Sequence, residues 1–381
     1  MPATSDQFDL DAMIEDLRGL VEVESPSLDL DAIERSAVAV AALIERRLGS
    51  AAELVPSAAG PHVRWRGSDE PKVLLVGHHD TVFPLGTLAA RPFTRRDGRL
   101  TGPGVFDMKG GIVLGLHAAA SLAQQDGIEL LFTADEEVGS GASRALIEAR
   151  AQACGAVLVL EPAADGGALK TGRKGTGGFD VTVHGRAAHA GLEPEKGVNA
   201  LVEAARQVLA IASLAAPERG TTVTPTVARA GTADNVVPAE AVIRVDVRVS
   251  KLEEAARVET AMTQLTPVDP GARLEVHGGV NRPPMAEAAT AELFALAQKV
   301  AADAGMTIPA GAVVGGGSDG NFTAALGVPT LDGLGVVGGG AHSDDEHVLV
   351  DTMVDRARLI AALLDRIRVF GVDTSSRETL G

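Results

Sequence analysis

The sequence predicts an α/β fold of two domains. A mostly parallel sheet flanked by helices forms the larger domain, and a smaller ferredoxin-like α+β domain is inserted into it. Three observations carry this expectation. Short apolar runs alternate with stretches of helical periodicity along most of the chain. The length, 381 residues, exceeds one ordinary domain. The texture changes at two Gly-rich punctuations, 171–178 and 278–284.

Taken in order, residues 9–20 and 29–48 read as helices, the second with apolar residues at i, i+3, i+4 spacing. Residues 73–76 form a continuous apolar run, the mark of a buried strand. Residues 110–124 read as a helix opening after a Gly-rich turn, and 129–132 and 156–160 as further buried strands. After the first punctuation, 179–183 alternates like a strand with one wet face. A helix at 197–212, strands at 221–228 and 241–249, a helix at 252–265 and a strand at 273–276 follow. That order, β-α-β-β-α-β, is the split βαβ pattern. The α/β texture then resumes with helices at 290–304, 321–326 and 351–369 and a strand at 312–314. The expected boundaries are 1–174 and 284–381 for the larger domain and 175–283 for the insert, with the two Gly-rich stretches as hinges.

Composition narrows the function classes. The net charge of −17 argues against nucleic acid and anionic membranes as partners. Tyrosine is absent and Trp65 is the only tryptophan, so stacking platforms for single strands are not expected. Cys154 is the only cysteine, which excludes an intrachain disulfide and thiolate metal clusters. The first residues lack the basic and apolar regions of a signal peptide, and no apolar run approaches about 18 residues. A soluble cytoplasmic protein is the expectation.

The chemistry concentrates at strand ends. Gly77-His78-His79-Asp80 follows the first buried strand. A His-x-Asp pair there places a metal ligand beside the carboxylate that orients it. Asp107, Glu136-Glu137, Glu161 and His342 each lie beside turn residues or close an apolar run. Five such sites in order read as the ligand set of a two-metal hydrolase, with Asp80 as the orienting carboxylate and His79 as a spacer. His62, His117, His184 and His277 read as structural or exposed. Lys109 reads as a residue solvating a turn or pairing with a carboxylate.

The chain resembles the metallopeptidase family of carboxypeptidase G, aminoacylase, acetylornithine deacetylase and succinyl-diaminopimelate desuccinylase. The matching segments are Gly77–Val82, Gly102–Gly111, Asp135–Ser140, Leu160-Glu161-Pro162, His189-Ala190-Gly191 and His342-Ser343. The resemblance implies a di-zinc exopeptidase fold and two zinc ions per chain, for which cobalt or manganese substitutes. It assigns His78, Asp107 and Glu161 to one metal and Glu137, Asp107 and His342 to the other, with the Asp107 carboxylate bridging and the Asp107-Met108 peptide cis. Donors of imidazole and carboxylate without thiolate suit zinc. Glu136 is the implied general base. His189 is implied to stabilise the oxyanion across a homodimer interface built on the insert. Asn235 and Arg282 are implied substrate contacts, Arg282 for a free carboxylate, and the turn of Gly317 and Ser318 a source of backbone donors. Glu161, where several deacylases carry Asp, favours the peptidase branch.

The implied activity is cleavage of an amide to release an amino acid, as in a glutamate carboxypeptidase. The small-molecule substrate is a peptide or an N-acyl amino acid, and an N-acyl amino acid deacylase is the alternative. A rival reading is a serine hydrolase, because Gly316-Gly317-Ser318-Asp319-Gly320 fits G-x-S-x-G between a strand and a helix. A binding protein that keeps the fold without turnover is a third reading, and an intact Glu136 and ligand set argue against it.

Overall fold

The computed structural model describes residues 7–372. The outer ends of the expected larger domain, 1–6 and 373–381, lie outside the described residues. The chain divides into two compact units. One is built from the chain up to Gly172, from Met285–Val314 and from the chain from Ser318 onward; the other is Arg173–Pro284 together with Gly315–Gly317.

The first unit is organised by a six-stranded sheet in the order Glu53–Val55, His62–Arg66, Ile128–Thr133, Val73–His78, Val157–Val159, Thr330–Leu331. The last four are parallel neighbours, and the first two join antiparallel at the edge. Every residue of Val73–His78, Ile128–Thr133 and Val157–Val159 is buried, as continuous apolar runs in a sheet covered on both faces must be. The strand His62–Arg66 escaped the sequence reading because its arginines mask it. Arg64 is held by the buried Glu129 at 2.7 Å, a partner invisible in the local pattern.

Helices Leu10–Val21 and Leu30–Leu48 start where Asp9 and Asp29 accept the N–H groups of Ala12 and Ala32, both at 3.0 Å. Helix Gly110–Ala120 is buried on all sides and stops short of the expected 124. There Ser121 Oγ turns back to the Ala118 carbonyl at 2.7 Å, and Leu122 N–H tightens onto Ala119. Helix Arg144–Cys154 was not foreseen, although Ile147, Ala151 and Cys154 carry a buried stripe. A second small sheet, in the order Gly338–Gly339, His347–Leu349, Arg99–Thr101, Thr94–Arg96, was also missed, since its strands hold two or three residues each.

The second unit is a four-stranded antiparallel sheet in the order Thr222–Ala230, Glu240–Val249, Gly175–His184, Arg273–Arg282. Helices Ala200–Ala212 and Leu252–Thr263 complete the expected β-α-β-β-α-β order. Phe179, Val181, Val183, Ile243, Val245, Val258 and Met262 fill its core. The Gly-rich stretches read as hinges are in part strand. Gly177 pairs with Val280 and Gly278 with Phe179. A Cβ on Gly278 would stand 2.1 Å from the Gly178 carbonyl oxygen, so two backbones meet where no side chain fits.

Candidate metal centre

The centre is assembled in the first unit at the ends of three parallel strands. His78 closes Val73–His78, Glu136 and Glu137 follow Ile128–Thr133 in the turn Glu136–Val138, and Glu161 follows Val157–Val159. Parallel strands in register end together, so these side chains share one edge of the sheet. Asp107 arrives from the irregular turn Val105–Lys109, which leads into the buried helix Gly110–Ala120. Its peptide bond to Met108 is cis. His342 comes from the loop between Gly338–Gly339 and His347–Leu349.

Asp107 stands between the two histidines. Its Oδ1 lies 3.3 Å from His78 Nε2 and its Oδ2 lies 3.4 Å from His342 Nε2. On the outer sides, His78 Nε2 is 3.5 Å from Glu161 Oε1, and His342 Nε2 is 3.1 Å from Glu137 Oε2. Ligand atoms of His78, Asp107 and Glu137 lie within 4.8 Å of one another, as do those of His78, Glu136 and Glu161. His78 Nε2, Asp107 Oδ1 and Glu137 Oε1 are buried and have no hydrogen-bond partner. Three orphaned polar atoms in one cluster are costly unless something binds them. An imidazole nitrogen and two carboxylate oxygens suit a divalent cation.

The protonation pattern has the same origin. Burial pulls the His78 imidazole down, but Asp107, Asp80 and Glu161 outweigh it and hold the ring well above its ordinary value. Asp107 and Glu137 push His342 up to about 10. Burial pushes Asp107 up, yet His342 and His78 hold it far below the usual carboxylate range. Glu137, whose largest influence is burial, is raised. Imidazole and carboxylate must be deprotonated to bind a cation, so metal and protons would compete for these groups.

A layer of fixed groups orients these side chains. Asp80 is fully buried; its carboxylate accepts Ser27 Oγ–H at 2.7 Å and the N–H groups of Glu136 and Glu137 at 3.2 and 3.3 Å. His78 Nδ1 faces the Asp80 carbonyl at 3.0 Å and its Oδ1 at 3.3 Å. One carboxylate therefore ties the His78 strand end to the Glu136–Glu137 turn. Burial pushes Asp80 up, and His78 and Ser27 bring it below its ordinary value. Ser140, at φ 58°, donates to Asp319, and Asp135 accepts the Ala142 N–H at 2.7 Å, closing the same turn. Lys170 Nζ reaches to 4.0 Å from Glu161 Oε2.

Glu346 escaped the sequence reading, and Lys109 was given another role. Glu346 is buried and accepts three backbone N–H groups of the Asp107 turn. Its proximity to His342 in sequence was the only available signal. Lys109 was read as solvating a turn or pairing with a carboxylate. It is instead buried and donates to the carbonyls of Leu20 and Val23 at 3.1 and 2.8 Å, and burial lowers it to about 8.

His79 points away, between Ser36 Oγ and the Pro61 carbonyl, both at 3.1 Å, and burial lowers it to about 4. His62 and His117 are buried structural groups, the latter 2.8 Å from Asp16. Ser318 is corrected on two counts. Its hydroxyl is fully buried, donates to Asp332 Oδ2 at 2.6 Å and accepts the Gly320 N–H at 3.1 Å, so it is no nucleophile. Its own N–H is taken by Asn321 Oδ1 at 2.9 Å, so it offers a substrate no backbone donor.

The remaining predicted residues belong to the second unit. His189 is exposed, and its Nδ1 accepts the N–H groups of Gly191 and Leu192, both at 3.1 Å. That fixes the proton on Nε2, the nitrogen left to act as a donor. The Asn235 carbonyl accepts the Ala190 N–H at 2.9 Å, so the two loops lie side by side. Arg282 is buried against Gly317, where an added Cβ would sit 3.1 Å from Arg282 Cδ. The Gly317 carbonyl accepts Arg173 Nη1 at 3.1 Å.

A family model described as peptidase family M20/M25/M40 matches residues 74–366. Carboxypeptidase G2 of Pseudomonas sp. (strain RS-16) is 32% identical over 368 residues, covering 93% of this chain and 88% of that protein. A succinyl-diaminopimelate desuccinylase of Verminephrobacter eiseniae is 32% identical, covering 77% of this chain and 78% of its own length. Among solved structures, an M20 family metallo-carboxypeptidase from Sulfolobus solfataricus superposes with a TM-score of 0.74 at 16% identity, covering 95% of this chain and 100% of that one. Among the described residues, no helix is long and apolar enough to cross a membrane.

Proposed function

The chain belongs to peptidase family M20/M25/M40 and is a metallohydrolase of peptide or N-acyl amide bonds; on that premise we propose that the Asp107 cluster holds two zinc ions and that the chain releases an amino acid with a free carboxylate. The carrying observation is the division of the two Asp107 oxygens between His78 and His342, with orphaned buried atoms on either side. His78, Asp107 and Glu161 hold one metal; Asp107, Glu137 and His342 hold the other.

Bound metals supply Lewis acidity toward the scissile carbonyl and an acidified water. The protein supplies the proton transfers. Glu136 takes the proton of the attacking water and delivers it to the leaving amine, a role suited to its place beside His78 and Glu161. Asp80 keeps His78 Nδ1 occupied, so that Nε2 faces the metal. His189 stabilises the developing oxyanion, Arg282 holds the carboxylate end of the substrate, and Asn235 contacts the substrate. The likeness to carboxypeptidase G2 supports a carboxypeptidase, and the likeness to the desuccinylase supports N-acyl amino acid deacylation. A panel of dipeptides and N-acyl amino acids, assayed with added zinc, separates the two.

Glu136→Ala tests the mechanism. It is expected to lower kcat by about 10²–10⁴-fold while zinc content stays near that of the parent. Unchanged turnover ends the assignment.

The homodimer is part of this reading. Thr222–Ala230 is an edge strand, and the same unit exposes Leu201, Val202 and Leu209 on one helix. Sedimentation of Leu209→Glu as a monomer supports that face, and a parent chain that is already monomeric removes it. Mixed chains carrying His189→Ala and Glu136→Ala are expected to regain activity if His189 acts across the dimer.

A further inference from the structure

The loop that carries His342 has little packing of its own. His342 is half exposed and sits at φ 61°, a left-handed conformation that non-glycine residues seldom adopt. Arg91 Nη1 donates to the Ser343 carbonyl of this loop at 2.8 Å, and a second side chain at the base of the loop reaches the Asp107 turn itself. Glu346, four residues on, is 1% exposed. Its Oε1 accepts the N–H groups of both Phe106 and Asp107 at 2.9 Å, and its Oε2 accepts the Gly104 N–H at 2.9 Å. Beside it, His347 pairs with Thr101, so the two chain segments enter and leave the contact in register. The turn bound in this way carries Asp107, whose backbone is not helical (φ −113°, ψ 97°) and is therefore not set by a helical ladder.

We infer that Glu346 is a positioning residue for the second metal, fixing the separation between Asp107 and His342. The inference rests on the metal reading proposed above. The geometry requires such a tie. Two ligands of one cation must be held to a few tenths of an ångström, and these two arrive on segments more than 200 residues apart in the chain. A carboxylate suits the task because its two oxygens accept three N–H groups at once. An amide in its place turns an NH2 toward at least one of those N–H groups.

The test is zinc titration of the metal-free full chain, with Glu346→Gln, with the parent, and with Glu129→Gln as a control. Glu129 is equally buried and is held by Arg64 and Arg150 at 2.7 Å, away from the ligand turns. The parent is expected to take up two zinc ions. Glu346→Gln is expected to keep one parent-like affinity and to bind the other ion about 10–100-fold more weakly, with an unchanged far-UV spectrum. Glu129→Gln is expected to lose thermal stability while keeping both zinc affinities. Two parent-like affinities in Glu346→Gln overturn the inference, as does an equal loss in Glu129→Gln. A parent that binds no zinc brings down the metal reading and this inference together. If Glu346→Gln does not fold, Glu346→Asp, too short to reach all three N–H groups, is read by the same titration.

Discussion

Buried carboxylates serve opposite purposes in the two units. In the insert, Glu203 is fully buried and satisfied: it accepts Gln207 Nε2 at 2.7 Å, the N–H groups of Val268 and Asp269 at 2.9 Å, and Arg206. Glu254 is likewise closed off by Arg257, Arg219 and Thr221. In the larger unit, Asp107 and Glu137 are half-buried, and Asp107 Oδ1 and Glu137 Oε1 are buried atoms with no hydrogen-bond partner. The same residue types are a brace in one place and an open coordination site in the other. Partners, not burial, make the difference, because an unmade hydrogen bond costs more than a made one contributes. The larger unit holds both kinds, since Asp16 is enclosed by Arg46, Arg47 and His117 at 2.6–2.8 Å.

The sharpest way to break this contrast is Asp107→Ala. Both zinc ions are expected to be lost, with turnover falling beyond the roughly 10²–10⁴-fold expected for Glu136→Ala; elemental analysis and kcat measure it, and a chain that keeps two ions refutes the bridging role. Chelation by EDTA comes next. It is expected to abolish activity and to lower stability by about 2.7 kcal/mol for each of the two ions relative to zinc at 100 times its Kd, read as a shift in Tm. Glu203→Ala should do the reverse of Asp107→Ala: a loss of about 2–3 kcal/mol by denaturant unfolding, with zinc stoichiometry unchanged.

A smaller effect is expected with pH. Burial pushes Asp16 up, but His117, Arg47 and Arg46 outweigh it and hold the carboxyl well below its ordinary range. A carboxyl depressed in the folded state contributes stability that is complete above its unfolded value, about 3.9. That contribution is lost as the pH falls toward the folded value. Asp16→Asn should therefore flatten the decline of stability below about pH 4, and an unchanged acid limb contradicts the assignment. The smallest expected effect is at Cys154, whose thiol burial and Glu129 push up to about 12. The native chain should not react with a thiol reagent at pH 8, and prompt labelling would show that the site opens.

The site was legible wherever chemistry and local pattern coincide. His78, Glu136-Glu137 and Glu161 could be found because buried parallel strands are continuous apolar runs, and a polar residue at their ends stands out. The helix starts at Asp9 and Asp29 were legible for a similar reason, since a cap is a local hydrogen bond. Lys109 and Ser318 were misread because the groups that satisfy them, Leu20, Val23, Asp332 and Asn321, are fixed only by packing.

By itself, the sequence determined the α/β architecture, the order of the insert and which imidazoles and carboxylates are candidate ligands. Those follow from periodicity and residue type, which act over a few neighbours. Only the tertiary structure decided which oxygen of Asp107 faces which histidine, that Glu346 ties the two ligand segments, and that Gly177 and Gly278 lie in paired strands. Each of these depends on a partner from a distant part of the chain. Such partners are set by how the elements pack, and that leaves no periodic trace in the sequence.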